Sequence, residues 1–215
     1  MNLLRVAFLF LCVGILPLGS LDAEEEMIRI PAGLFLMGES GGAGAAGKEV
    51  TLAEFYIDRV EVTNLEFQKT FPTHTYPRGA DDHPVSLVTW KEAKSYCERR
   101  EKHLPTEAEW EKSARGTDGR TYPWGDKALR TAAHPSISGM IKRNVGFNKK
   151  DRSPYGALEM ASSVWEWTTG EEGGMKVAKG GLWNLHLDYE YSKTFDRITI
   201  DPDSRYIFLG FRCAR

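Results

Sequence analysis

The segment LGFRCAR at residues 209–215 decides the fold, together with LPTEAEWEKSARGTDGRTYPWGD at 104–126 and SPYGALEMASSVWEWT at 153–168. The first of these segments places Cys213 near the end of the chain, where a long-range crosslink would close the fold. After Asp126 the sequence loses apolar periodicity and accumulates glycine, proline, tryptophan and asparagine. Such a composition predicts turns, aromatic packing and short strands rather than long regular elements.

The N-terminus has the sequence features of a secretory signal peptide. A basic start ending at Arg5 precedes the apolar run VAFLFLCVGILPL, which is shorter than the roughly 20 residues that span a bilayer. We expect a signal peptide at 1–23, a mature domain at 24–215 and no membrane span after cleavage. An uncleaved signal anchor is the alternative, because Leu21 is larger than the residue usual at that position before a cut after Ala23. The expected location is secreted or periplasmic.

Composition and charge narrow the class of protein. The formal net charge is -2, so no basic field exists that would attract nucleic acid. Hydrophobic residues make up 41% of the chain and aromatic residues 11%, which is enough for one domain with a sizeable core.

The chain has 3 cysteines. Cys12 lies inside the apolar run and leaves with the signal, and this position does not suit a lipoprotein attachment site. Cys97 and Cys213 then form an even pair in a compartment that permits oxidation, which favours a disulfide over two buried free thiols.

Three T-x-x-E patterns predict helix starts, in which the threonine hydroxyl caps a free amide and the glutamate reaches back to the cap. The pairs are Thr63 with Glu66, Thr89 with Glu92, and Thr106 with Glu109. On the second helix Trp90, Ala93 and Cys97 share one face, which turns the cysteine inward.

The opening segment MIRIPAGLFLM predicts a short strand and turn, with Ile28, Ile30, Leu34 and Leu36 alternating around a proline and glycine break. The glycine-rich segment at 38–49 lacks the lysine and hydroxyl of a phosphate-binding loop and is interpreted as a surface linker.

Nine phrases of this sequence occur in the order found in one protein family: IPAGLFLMG, FYIDRVEVTNLEF, HPVSLVTWKEAKSYC, LPTEAEWEKSARG, YPWGD, SPYGALEM, VWEWT, KGGLW and LGFRCAR. Because of these phrases, the chain resembles the formylglycine-generating enzymes, also called sulfatase-modifying factors. The resemblance extends from about Ile28 to Arg215. The resemblance implies an α+β domain with a C-type-lectin-like core and little regular secondary structure. It is more specific for fold than for activity.

The resemblance also implies the pairing of the cysteines. The family joins the cysteine of the AKSYC phrase to that of the GFRC phrase, which here means Cys97 to Cys213. A second family bridge is not expected, because Ala114 stands where its first cysteine would be.

Active members of the family oxidise a substrate cysteine to formylglycine with molecular oxygen and a copper ion held by two cysteine thiolates, beside a serine. Soft thiolates select Cu(I), and a two-ligand metal can accept the substrate thiolate. Aligned on KGG, the serine position is Leu182 and the cysteine positions are Leu185 and Glu190. Leucine is not a metal ligand and a lone carboxylate is a hard ligand, so copper is not expected.

The same segment offers ligands for a different chemistry. Alternation would place His186, Asp188 and Glu190 on one face, as a hard-metal or acid/base cluster. The competing interpretation is a solvated strand face, which is favoured because charged side chains are mostly exposed. The other histidines lack metal spacing among themselves. The ergothioneine sulfoxide synthases that share this domain take their histidines from an additional helical domain.

The family also binds structural calcium, which prefers hard oxygen ligands. Carried over from the family motif, the ligands here are the carboxylates of Glu159 and Glu166 and the carbonyls of Ser162 and Val164. The family's Gly-Asn pair is Ser162-Ser163, and serine resists the positive φ that glycine permits, so the turn itself is in question.

Two tryptophans, Trp165 and Trp183, are candidates for lining a ligand groove. Burial is the competing role for tryptophans in a turn-rich fold, where their indole N–H groups fix loops in place.

Three functions remain open at this point. The leading interpretation is an exported, non-oxidase binding or accessory factor with an unknown protein or peptide partner. The alternatives are a periplasmic tailoring enzyme of different chemistry on the same scaffold and a true formylglycine-generating oxidase.

Overall fold

The computed structural model describes residues 27–39, 47–128, 144–181 and 193–215. These residues form an α+β arrangement of short elements in which loops predominate. The elements are, in chain order, β1 (Met27–Ile30), β2 (Gly33–Met37), β3 (Lys48–Leu52), β4 (Phe55–Asp58), α1 (Asn64–Thr70), α2 (Trp90–Glu98), α3 (Glu107–Arg115), β5 (Trp165–Glu172), β6 (Met175–Gly180), β7 (Arg197–Ile200) and β8 (Leu209–Gly210).

All three helices begin where the T-x-x-E patterns predict. Thr63, Thr89 and Thr106 are the N-caps of α1, α2 and α3, and each forms a complete capping box with the glutamate three residues on. Each box satisfies two amides that the first helical turn would otherwise leave free. Ala93 and Cys97 are fully buried on the inner face of α2, as predicted.

The strands form three small antiparallel or mixed sheets. Strand β1 pairs with β4, β2 pairs with β3, and the third sheet has the order β7-β6-β5-β8. Within the third sheet β5 and β8 are parallel, with Trp165 opposite Leu209. This parallel pair brings the VWEWT and LGFRCAR phrases together, although they lie far apart in the sequence.

Two clusters of buried side chains form the core. The larger cluster lies between α2, the third sheet and the C-terminal segment, and the smaller one lies around β1, β4 and α3. Ile28 and Ile30 are buried, as the alternation of β1 predicts. In β2 the buried side chain is Phe35, while Leu34 is 49% exposed, so the leucines of that strand do not mark its inner face.

The C-terminal segment is held on two sides. Backbone hydrogen bonds join it to the chain after β3, from Tyr56 N to Arg215 O at 2.7 Å and from Val62 N to Phe211 O at 3.0 Å. A disulfide joins Cys97 of α2 to Cys213, with Cα atoms 5.6 Å apart and 116 residues of separation. This bond confirms the predicted pairing.

No helix in the described parts of the chain is long and apolar enough to cross a membrane. The signal sequence predicted at 1–23 lies outside those parts, so its cleavage stays a prediction.

Candidate functional site

The segment of sequence that carries oxidase chemistry in active family members follows β6. Gly180, the last residue of β6, has a φ of +102°, and a Cβ there would meet the carbonyl oxygen of Val164 at 3.2 Å and the ring of Trp110 at 3.4 Å. The KGG phrase is therefore suited to close packing of β6 on β5 and α3. The positions predicted to matter just after it lie outside the described residues: Leu182, Trp183, Leu185, His186, Asp188 and Glu190.

A buried arginine, Arg212, organises the centre of the described structure. Its Nε and Nη2 donate to the two carboxylate oxygens of Glu166, both at 2.7 Å. The remaining N–H groups donate to the backbone carbonyls of Asp58, Arg59 and Leu158 at 3.0–3.2 Å. Burial disfavours the charged guanidinium, but the Glu166 carboxylate holds the pKa of Arg212 above its usual value.

Both carboxylate oxygens of Glu166 are engaged in buried hydrogen bonds. Its Oε2 also accepts a hydrogen bond from Trp110 Nε1 at 2.8 Å, and the residue is fully buried. The pair therefore joins β5, α3 and the C-terminal segment through one carboxylate. A bidentate arginine–carboxylate pair is among the stronger hydrogen-bonded arrangements in proteins.

Glu61 is a second buried carboxylate beside Arg212, and it was not among the residues singled out from the sequence. Its Oε2 lies 3.9 Å from Arg212 Nη2. Neither carboxylate oxygen has a hydrogen-bond partner of good geometry among the described residues, although the Ser163 side chain lies close enough to lower the pKa of Glu61. Burial, and then the nearby charge of Glu159, raise the pKa of Glu61 well above its usual range.

Asp151 and Glu159 complete an acidic cluster, which we define as Glu61, Asp151, Glu159 and Glu166. The Glu159 carboxylate accepts backbone N–H groups from the loop at residues 146–148, and burial nevertheless raises its pKa. Burial likewise raises the pKa of Asp151 to about 7, although its Oδ2 accepts from the Ser162 hydroxyl at 2.7 Å. The other oxygen of Asp151 lacks a hydrogen-bond partner in the described structure.

The acidic cluster shares two residues, Glu159 and Glu166, with the predicted calcium ligands. The other two predicted ligands are Ser162 and Val164. Across the residues described, no three His, Cys, Asp or Glu side chains meet in a group that could hold a metal by itself. An ion here would therefore depend on backbone carbonyls as well as carboxylates, a mixture that calcium accepts. Ser163 adopts a φ of +79°, whereas Ser162, which stands at the family's glycine position, does not have a positive φ.

The acidic cluster carries more negative than positive charge when its carboxylates are ionised. Four buried carboxylates face a single buried guanidinium, and three of their oxygen atoms lack a partner among the described residues. A divalent ion held by Glu159 with the carbonyls of Ser162 and Val164 would offset this excess of negative charge.

The groove role predicted for Trp165 is not what the structure shows. Trp165 is only 5% exposed and belongs to the larger core cluster. Its ring packs among the other buried side chains of that cluster, so burial, the competing interpretation, accounts for this tryptophan. Trp183, the other groove candidate, lies outside the described residues.

A second ionic cluster was also missed from the sequence. Glu111 of α3 accepts from Arg115 at 3.0 Å and from Lys179 of β6 at 2.9 Å, and all three side chains are buried. It joins helix α3 to the third sheet. The sequence gives only a faint signal for it, the i,i+4 spacing of Glu111 and Arg115.

These features define a class of protein: a small α+β domain of C-type-lectin-like architecture, closed by one long-range disulfide and organised around an internal arginine. The chain matches the family described as "Sulfatase-modifying factor enzyme 1-like domain" over residues 19–215. It belongs to that family.

The chain is similar to both active and inactive enzymes of the family and to proteins of known structure. The chain is 29% identical to the formylglycine-generating enzyme of Bos taurus, covering 94% of this chain and 77% of that protein. It is 28% identical to the inactive C-alpha-formylglycine-generating enzyme 2 of the same organism, covering 88% and 87%. Among solved structures, PvdO from Pseudomonas aeruginosa superposes with a TM-score of 0.72 at 20% identity, covering 88% of this chain and 93% of that one.

Proposed function

We propose that this chain is a non-oxidase member of its family, an exported binding or accessory factor that acts on a protein or peptide partner. The proposal is supported by the residues at the positions that carry copper chemistry in active members. Leu182, Leu185 and Glu190 provide neither the serine nor the two thiolates.

The number of available thiols is the observation that carries the proposal. The chain has 3 cysteines, and two of them, Cys97 and Cys213, form the disulfide. Only Cys12 remains, within the apolar run of the predicted signal. A copper site built from two thiolates therefore lacks its ligands unless the disulfide is broken.

Similarity alone does not decide the activity. The chain is about equally identical to a protein named as formylglycine-generating enzyme and to one named as inactive, at 29% and 28%. The inactive relative supports the idea that this scaffold persists without the oxidase reaction. The choice between an active and an inactive protein therefore depends on which metal ligands stand at the positions aligned with the copper site.

A second candidate function is an enzyme of different chemistry that uses His186, Asp188 and Glu190. Their alternating spacing is the observation in its favour. Metal analysis of the purified protein tests it. A transition metal present in stoichiometric amount and lost in the His186→Gln variant would support this candidate over a binding factor.

We predict that the purified protein neither binds Cu(I) tightly nor converts the cysteine of a sulfatase-motif peptide to formylglycine. The physical reason is the absence of soft ligands at the three positions. The measurement is mass spectrometry of the peptide after aerobic incubation with added copper. A triple variant, Leu182→Ser with Leu185→Cys and Glu190→Cys, is the matched comparison and is expected to regain copper binding.

Activity of the triple variant need not reach that of an active family member, because misplacement of a substrate by about 1 Å can cost roughly a hundredfold in rate. Oxygen-dependent formylglycine formation by the unmodified protein, with a copper-free sample silent, would contradict the proposed function.

We further propose that calcium binds in the acidic cluster and stabilises the fold. At a calcium concentration of about 100 times the dissociation constant, the expected gain is about 2.7 kcal/mol. For a domain of this size, each kcal/mol corresponds to about 2–4 °C in the melting temperature. The measurement compares melting curves in calcium and in excess chelator.

Two variants make this calcium test specific. Glu159→Gln is expected to bring the two curves together, because it removes a charged ligand. Glu101→Gln, at an exposed position, is the control and is expected to preserve the difference. Curves for the unmodified protein that coincide in calcium and in chelator would show that Arg212 alone balances the buried carboxylates.

A further inference from the structure

A cleft of about 370 Å³ opens on the surface beside the acidic cluster. It is lined by Arg59, Lys149, Arg152 and Leu158, so three of its four lining residues are cations and none is acidic. The chain as a whole carries a net charge of -2, so the positive charge at the cleft does not follow from the overall composition. Clefts of a few hundred Å³ accommodate small molecules.

The backbone holds two of these cations close to each other. Gly156 has a φ of +101°, and the position of a Cβ on it would lie 3.4 Å from Arg59 Nη1 and 3.6 Å from Arg152 Nη2. Arg59 Nη1 also donates to the Gly156 carbonyl at 3.2 Å. Both guanidinium groups thus lie next to Gly156, where their like charges repel each other, and an anion bound between them would offset this repulsion.

The third cation of the cleft is Lys149. Lys149 Nζ lies 3.4 Å from the position of a Cβ on Gly146, whose backbone N–H donates to Glu159. Lys149 and Arg152 are exposed, and within the described ranges neither side chain forms a hydrogen bond, although the charge of Lys149 lowers the pKa of Glu159. Both side chains are therefore available to a ligand.

We infer that this cationic cleft binds a small molecule bearing a tetrahedral oxyanion, a phosphate or sulfate monoester. Guanidinium groups match such oxyanions with two parallel N–H donors, and the lysine adds a point charge. Leu158 offers an apolar contact for the remainder of the ligand. The inference goes beyond the proposed function, since the cleft uses none of the positions aligned with the copper site.

Calorimetric titration of the full chain with phenyl phosphate, phenyl sulfate, inorganic phosphate and citrate, at matched ionic strength, tests the inference. We expect saturable binding of the esters and weaker binding of citrate. Arg152→Gln and Lys149→Gln are each expected to weaken ester binding by about tenfold or more, because each removes a charge-assisted hydrogen bond. Lys150→Gln is the matched control, an exposed neighbour that does not line the cleft, and is expected to change affinity by about twofold at most.

The pH dependence separates the two oxyanions. Phosphate ester affinity is expected to fall as pH drops below about 6, where the second phosphate proton binds, whereas sulfate ester affinity is not. Three results would each overturn the inference: no binding of either ester at millimolar concentration, an equal loss from Lys150→Gln, or citrate binding as tight as that of the esters. Because the substituted side chains are exposed and form no hydrogen bond in the described structure, circular dichroism spectra are expected to be unchanged.

Discussion

Removal of the Cys97–Cys213 disulfide is expected to lower the free energy of unfolding by about 4 kcal/mol. The bond joins residues 116 positions apart, so its removal releases a long loop in the unfolded chain. Both cysteines are fully buried in the larger core cluster, and alanine at both positions also removes packed sulfur atoms. The measurement is urea unfolding of the double variant Cys97→Ala, Cys213→Ala beside the oxidised protein.

The denaturant slope gives a second readout of the same bond. Without the crosslink the unfolded chain expands, so the dependence of unfolding free energy on urea is expected to steepen. Reductant is expected to shift the midpoint of the natural sequence but not that of the double variant, which serves as the control. Free thiols at both positions in the purified protein, or a change in stability below about 1 kcal/mol, would contradict the assignment.

The fold was predictable where the signals are local. Capping boxes depend on residues three apart, and Thr63, Thr89 and Thr106 all begin helices as their patterns predict. The disulfide was predictable because only two cysteines follow the apolar run. In β2, by contrast, short alternation does not specify which face turns inward, and the packing of Phe35 against the rest of the core decides it.

The candidate site was less predictable because its contacts are distant in sequence. Arg212 meets Glu166 across 46 residues and the Asp58 carbonyl across 154. Nothing near Glu61 in the sequence indicates that it is buried, since glutamate is mostly exposed in proteins. The sequence left a groove and burial as competing roles for Trp165, and only its packing in the larger core cluster shows that this tryptophan is buried.

Replacing Arg212 by methionine is expected to lower the free energy of unfolding by about 3–5 kcal/mol, because it leaves the Glu166 carboxylate buried without its charged partner. The backbone carbonyls of Asp58, Arg59 and Leu158 also lose their donor. Arg215→Met is the matched control, three positions on and exposed, and is expected to change stability by no more than about 0.5 kcal/mol.

A double-variant cycle separates the ion pair from the rest of the arginine's contacts. Adding Glu166→Gln to Arg212→Met is expected to recover part of the loss, because the neutral amide no longer carries an unpaired buried charge. An additive result, with both losses summed, would show that Arg212 stabilises the fold through its backbone carbonyl contacts rather than through Glu166.

The loss in Arg212→Met is expected to grow with pH when measured in chelator, so that no bound cation compensates. Glu61 has a raised pKa in the fold, and Arg212 is the charge that opposes this shift. Without the arginine the pKa rises further, so the native state binds more protons than the unfolded chain above the unfolded pKa of about 4.3. Stability then falls as pH rises through this window, and the deficit relative to the natural sequence is expected to be larger at about pH 8 than at about pH 5. A deficit that is the same at both values would mean that Glu61 does not respond to Arg212, and the acidic cluster would then not be electrostatically coupled to the arginine.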